Sequence, residues 1–138
     1  MTTVDAPVID HANVERLRAI YADLPSIGEH AADDVVLHPA DRTTEDPTPV
    51  VGKEAVVAHE QALVDLSAGT LVMDVHHIVA NAWFGAVLGV LRVERPHKTS
   101  MPFCGLWRFE DGRIVEHWEN AHDVSALTKS LFPADATS

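Results

Sequence analysis

The segment that most constrains the fold is 103–123, FCGLWRFEDGRIVEHWENAHD. Two runs of strand-like alternation flank Asp111-Gly112, a dipeptide that tolerates the positive backbone dihedrals of a tight hairpin turn. Past the turn, Arg113, Val115, His117 and Glu119 alternate with Ile114, Glu116, Trp118 and Asn120. Strand side chains repeat with period two. His117 and Glu119 are therefore expected on one face, and Ile114 and Trp118 on the other. His, Glu and Asn are costly to bury unpaired, so a strand ending on them reads as a wall lining a space.

Helices precede this hairpin. Val14, Leu17, Ile20 and Tyr21 recur at helical spacing within 10–23 and predict an amphipathic helix ended by Pro25. Ser26-Ile27-Gly28-Glu29 has the pattern of a capping box, which predicts a short second helix to about residue 32. Asp33 and Asp34 read as helix-stop residues before a short strand, 35–38, that Pro39 terminates. Residues 39–51 are polar and hold three prolines, a composition for a loop over a cavity mouth. Gly52 opens the longest helix, to about residue 67, with Val56, His59, Leu63 and Leu66 on one stripe and Gly69 as its C-terminal cap.

Strands are expected at 71–80, 83–94, 100–110 and 113–119, and Asp123 caps a closing helix to about residue 131. Helices first and an antiparallel meander after is the α+β pattern. A single domain is expected over 9–131, with tails at 1–8 and 132–138. The strand at 83–94 is apolar on both faces: Val87, Gly89 and Leu91 on one, Phe84, Ala86, Leu88 and Val90 on the other. A homodimer through the outer sheet face would cover the second set.

The 138 residues suffice for one substantial core. Net charge is −11, and the ten Lys and Arg are scattered, which argues against nucleic acid or an anionic membrane as partner. The start, MTTVDAPVID, lacks the cationic and apolar regions of a signal peptide, and the longest apolar stretch, 82–91, is too short to span a bilayer. A cytoplasmic location is the expectation. Cys104 stands alone, so neither an internal disulfide nor a thiolate metal cluster is expected. Nine histidines make proton chemistry near neutral pH worth following. No pair has the HExxH spacing on a helix, so no metal is expected, and no other cofactor is implied.

The order helix–helix–strand–helix–four strands resembles the nuclear transport factor 2-like fold, a cone of curved sheet wrapped around helices. The stretches 32–39 (ADDVVLHP), 51–55 (VGKEA) and 107–123 look most like its SnoaL-like, polyketide cyclase-like branch. The resemblance covers about 10–131. It implies an apolar pocket but no single reaction, because one fold hosts many chemistries. In the related ketosteroid isomerases a catalytic Asp stands where this chain has His38. The second isomerase Asp falls on Gly105, and the first-helix Tyr near Val14 or Leu17, with Tyr21 a turn away. The resemblance therefore argues against steroid-type isomerisation through that oxyanion hole. It also places His117, Glu119 and Trp107 on the cavity side of the last hairpin, and Trp83, Val87, Gly89 and Leu91 on that of the long strand.

These positions define the candidate site. His38 would transfer the proton, since an imidazole takes and returns one near pH 7. His117 and Glu119 would polarise or orient the substrate. Trp83, Trp107, Val87, Leu91 and His59 would line the pocket. His76 and His77 point to opposite faces by parity, so at most one enters it, and parity alone does not say which. The implied function is cyclisation, isomerisation or dehydration of a small apolar oxygenated compound, polyketide-like or aromatic. The alternative is a ligand-binding or dimerisation module without turnover. Hydrolysis by an activated water would need an Asp-Arg-Asp type cluster that the named positions do not supply.

Overall fold

The computed structural model describes residues 11–132. The N-terminal tail and 133–138 lie outside these residues. Helix α1 (Ala12–Ala22) buries Val14, Leu17, Ile20 and Tyr21, as their spacing predicts. Pro25 does not simply end this helix. It sits in the first turn of a 3-10 helix, Leu24–Glu29, where its missing N–H costs nothing. The capping box is not formed, and the Ser26 hydroxyl is buried without a partner. Strand β1 (Ala31–His38) begins at once, so Asp33 and Asp34 stand exposed along a strand rather than stopping a helix.

After the loop, β2 (Val50–Val51) pairs back onto β1, and α2 (Lys53–Leu66) follows. Gly69 closes that helix with a positive φ of 75°, a conformation that suits glycine. Four long strands complete the sheet: β3 (Val72–Ala80), β4 (Phe84–Val93), β5 (Thr99–Glu110) and β6 (Arg113–Ala121). Asp111 and Gly112 turn the β5–β6 hairpin with φ of 50° and 78°. Helix α3 (Val124–Leu131) is capped by the Asp123 carboxylate, which accepts from the Ala126 amide at 3.0 Å.

The six-stranded sheet has the order β2-β1-β6-β5-β4-β3. Strand β1 runs parallel to β6, and the other neighbours are antiparallel. This curved sheet packs against α1 and α2, with Leu17, Ile20, Ile27, Leu37, Val56 and Phe109 fully buried in the core between them. Along β4 burial alternates: Val87, Leu91 and Val93 are buried while Phe84 and Leu88 are exposed. The described part is thus an α+β cone.

Two irregularities break the simple parity. The β5–β6 register shifts at Arg108/Phe109, leaving Val115 without a partner in the ladder. Ile114 is therefore buried in the core on the same side as His117, not opposite it. The β3–β4 register shifts between Val75 and His77. Val75 and Ile78 both pack on the core, and His76 and His77 are both exposed, so neither reaches the interior. No helix among the described residues is long and apolar enough to cross a membrane.

Candidate functional site

The inner faces of β5 and β6 meet α1 at one glycine. Register places Trp107 beside His117 and Gly105 beside Glu119. Tyr21, in the last turn of α1, stands over Gly105 so closely that a Cβ there would lie 2.0 Å from its phenol oxygen. Only glycine leaves room for that oxygen. The indole Nε1 of Trp107 donates to it at 3.2 Å. The two rings meet edge to face, with centroids 5.8 Å apart. Burial raises the phenol pKa well above its ordinary value, so Tyr21 stays protonated. Its oxygen accepts from Trp107, and its own proton remains to be given.

His117 is buried and stacked flat on Trp107, with ring centroids 3.4 Å apart. Its Nδ1 lies 2.9 Å from the Leu106 carbonyl. A carbonyl only accepts, so Nδ1 carries the proton and Nε2 the lone pair. Burial disfavours the imidazolium and lowers its pKa to about 4, against the opposing pull of Glu119. The neutral ring therefore offers an acceptor. A Cβ on Gly105 would also lie 3.3 Å from His117 Cε1, so Tyr21 and His117 border the same small space.

Glu119 joins this floor to α2. Its Oε1 accepts from His59 Nε2 at 2.9 Å. Glu60, the next residue of α2, is 1% exposed, and its Oε1 is buried without a partner. Burial, and then the charge of Glu119, push the Glu60 pKa far up, so Glu60 holds a proton and shares it with Glu119. Burial also works against ionising Glu119, but hydrogen bonds from His59 and Glu60 outweigh it and keep Glu119 a carboxylate. His59 is half-buried. Its pKa is raised because the bond and charge of Glu119 exceed the penalty of burial.

Two spaces share this floor. The inner cavity, about 80 Å³, is lined mainly by apolar groups, Leu24, Met73, Leu91 and Phe103 among them, with Tyr21, Glu60, His117, Glu119 and Asn120 as polar residues. A vestibule of about 250 Å³ lies between the 39–41 segment, α2 and α3, and reaches His59 and Glu119 from the other side. Ala40, Leu63, Glu119, Leu127 and Leu131 line both. Arg42 fastens the loop over them. It donates to the Pro39 carbonyl at 2.8 Å, the Glu119 carbonyl at 2.7 Å and the Asn120 side-chain oxygen at 2.9 Å.

The structure brings together His117, Glu119, His59, Trp107 and Leu91, and separates three other expected residues from them. His38 does not share a pocket with His117. Its neighbour Leu37 fills the core, so His38 faces the opposite side of the sheet, stacks on Trp118 and donates to Glu116 at 2.7 Å. Glu116 is held further by Arg108 at 3.1 Å. Trp83 forms no wall, because it sits in the β3–β4 turn, 63% exposed. Val87 is fully buried core rather than cavity lining.

Sequence reasoning also missed Tyr21, Glu60 and Arg42. No tyrosine stands at the first-helix position near Val14 or Leu17, but Tyr21, about one turn along, brings its phenol to Gly105. Glu60 had a signal: Val56, Glu60 and Ser67, all buried, fall at i, i+4 and i+11, the register of an inward stripe. A stripe chosen for apolar residues alone passes over it. Arg42 had none, since its partners are mostly backbone carbonyls.

The whole assembly can be compared with known proteins. No curated protein matches the chain. Bal32a, from a soil-derived mobile gene cassette, superposes with a TM-score of 0.74 at 20% identity, over 86% of this chain and 95% of that one. An NTF2-like protein of unknown function from Burkholderia pseudomallei gives 0.69 at 21% identity, over 86% and 96%. IdmH from Streptomyces antibioticus, a candidate polyketide cyclase, gives 0.65 at 25% identity, over 86% and 98%. The model of the SnoaL-like domain family matches residues 10–117. With most of its length inside that match and the cone fold around the cavity, the chain belongs to the SnoaL-like domain family.

Proposed function

We propose that the protein binds a small oxygenated, largely apolar molecule, polyketide-like or aromatic, in the inner cavity and moves a proton on it, as a cyclase, isomerase or dehydratase does. One observation carries this reading. A protonated phenol (Tyr21) and an unprotonated imidazole nitrogen (His117 Nε2) flank the space above Gly105. A substrate oxygen would accept from Tyr21 while His117 takes a proton from a neighbouring carbon or hydroxyl, the pairing that general acid/base catalysis needs. Trp107 positions both partners. Glu119 supplies negative charge beside His117 and steadies the imidazolium as it forms. The likeness to IdmH supports a polyketide-like substrate.

The test is an NMR titration of the imidazoles, free and with a panel of phenols and cyclic ketones, followed by turnover assays on any ligand that binds. Shifts at His117 that Tyr21→Phe abolishes support the reading. Ligands that leave His117 untouched overturn it. The small inner cavity favours a second reading, a binding module without turnover, and saturable binding with no product over days would establish that instead.

The outer sheet face supports a homodimer. Phe84, Leu88 and Leu106 are 61%, 46% and 43% exposed there, a contiguous apolar surface that a second copy would cover. Sedimentation of the wild type and Leu88→Glu decides it: a dimer that the substitution dissociates, against a wild-type monomer.

A further inference from the structure

The cluster on the floor between cavity and vestibule has a property that the proton-transfer reading does not use. Glu60 and Glu119 come from different elements, α2 and β6, and are brought together in a buried place with His59. One donor atom from each of the three residues lies within 4.8 Å of the other two. The Nε2 of His59 and Oε1 of Glu119 are already 2.9 Å apart. On Glu60, Oε1 is buried with no hydrogen-bond partner. Orphaned buried polar atoms are uncommon in folded proteins, because each forfeits its hydration for nothing.

We propose that His59, Glu60 and Glu119 form a binding site for a divalent transition-metal cation of the zinc, iron(II) or manganese class. The donor set of one imidazole and two carboxylates suits those ions. Bonds of about 2.0–2.2 Å in tetrahedral array put donors roughly 3.4 Å apart, so closing the widest gap takes a small inward movement, for which the partly exposed His59 and Glu119 side chains have room. Binding would release the Glu60 proton, and the two carboxylates and the dication then sum to zero charge, which suits an apolar surrounding. A cation would also give the buried Glu60 Oε1 a partner. With three protein ligands, a further coordination position would face the inner cavity, and the vestibule gives the ion a path from solvent.

The absence of any HExxH spacing does not bear on this site. The ligands are neighbours on α2 plus a residue 59 positions later on β6, a constellation that no local motif spells. The inference is independent of turnover, since an ion would sit equally in a pure binding module.

The test uses the full chain, stripped with chelator and titrated with Zn²⁺ by calorimetry, with Co²⁺ absorption as a second readout. The expected result is one equivalent bound at micromolar or tighter affinity, weakened at least about tenfold by Glu60→Gln and by His59→Gln. The side-chain amide that Glu60→Gln introduces can still donate to Glu119, so that variant keeps a hydrogen bond there and loses the carboxylate ligand. If it nonetheless fails to fold, the half-exposed His59→Gln decides. No saturable binding overturns the proposal. So does binding that survives both variants but is lost in His76→Gln, which would place the ion on the exposed Asp74–His76 pair. Metal binding with no response of His117 to ligands would sink the proton-transfer reading and leave this one standing.

Discussion

Trp107 holds Tyr21: the indole N–H donates to the phenol oxygen at 3.2 Å inside the cone. The bond fixes the phenol's lone pair, so whatever else Tyr21 bonds must accept its proton. Tyr21→Phe removes that donor and leaves Trp107 Nε1 buried and unpaired, at a cost of about 1–3 kcal/mol. Denaturant unfolding should show that loss. Binding of an oxygenated ligand should fall about tenfold or more, whereas a purely apolar ligand should bind as before.

Gly105 makes the arrangement possible. Gly105→Ala drives a methyl to within 2.0 Å of the Tyr21 oxygen, and the central strand cannot yield. Tyr21 must leave its place, with overpacking of about 1–3 kcal/mol. Indole and phenol absorbance, or the Trp107 Nε1–H resonance, should report the broken bond. An unchanged resonance would contradict the packing described.

His117 predicts how stability follows pH. Its pKa is near 4 in the folded protein and about 6.5 in an unfolded chain. The unfolded state therefore binds the proton more readily, so this contribution is complete above pH 6.5 and is lost as pH falls toward 4. The full loss is about 3 kcal/mol. Unfolding free energies at pH 7.5, 5.5 and 4.5 should trace that decline, and His117→Gln should flatten it.

Arg42 predicts a local effect. Arg42→Ala removes the two contacts that fasten the loop to β6 and one within the loop, to the Pro39 carbonyl, while leaving the core intact. Amide exchange and proteolysis at 39–49 should accelerate, with global stability changed by less than about 1 kcal/mol. A large drop in overall stability would show that the loop is part of the cooperative core.

Much of this was legible in the residues. Asp111-Gly112 specified its turn, Asp123 its cap, and the alternation on β4 its buried and exposed faces. Parity was misleading where an extra residue enters a strand. The unpaired Val115 turns Ile114 inward, and the shift between Val75 and His77 turns both histidines outward. No residue type announces a bulge, because it is set by pairing with a distant partner. His38 failed for a related reason. Leu37 fills the core better than an imidazole, so the strand faces inward with Leu37 and carries its neighbour out. Glu60 was obscured by the opposite assumption, that a buried stripe is apolar.

The contacts of Arg42 carry one more consequence. Its bonds to β6 end on the Glu119 backbone carbonyl and the Asn120 amide oxygen, neither of which titrates. The clasp therefore does not sense whether the Glu119 side chain holds a proton, an imidazole or an ion. The attachment of the loop and the charge of the floor beneath it are thus carried by different atoms of Glu119, its backbone carbonyl and its side chain.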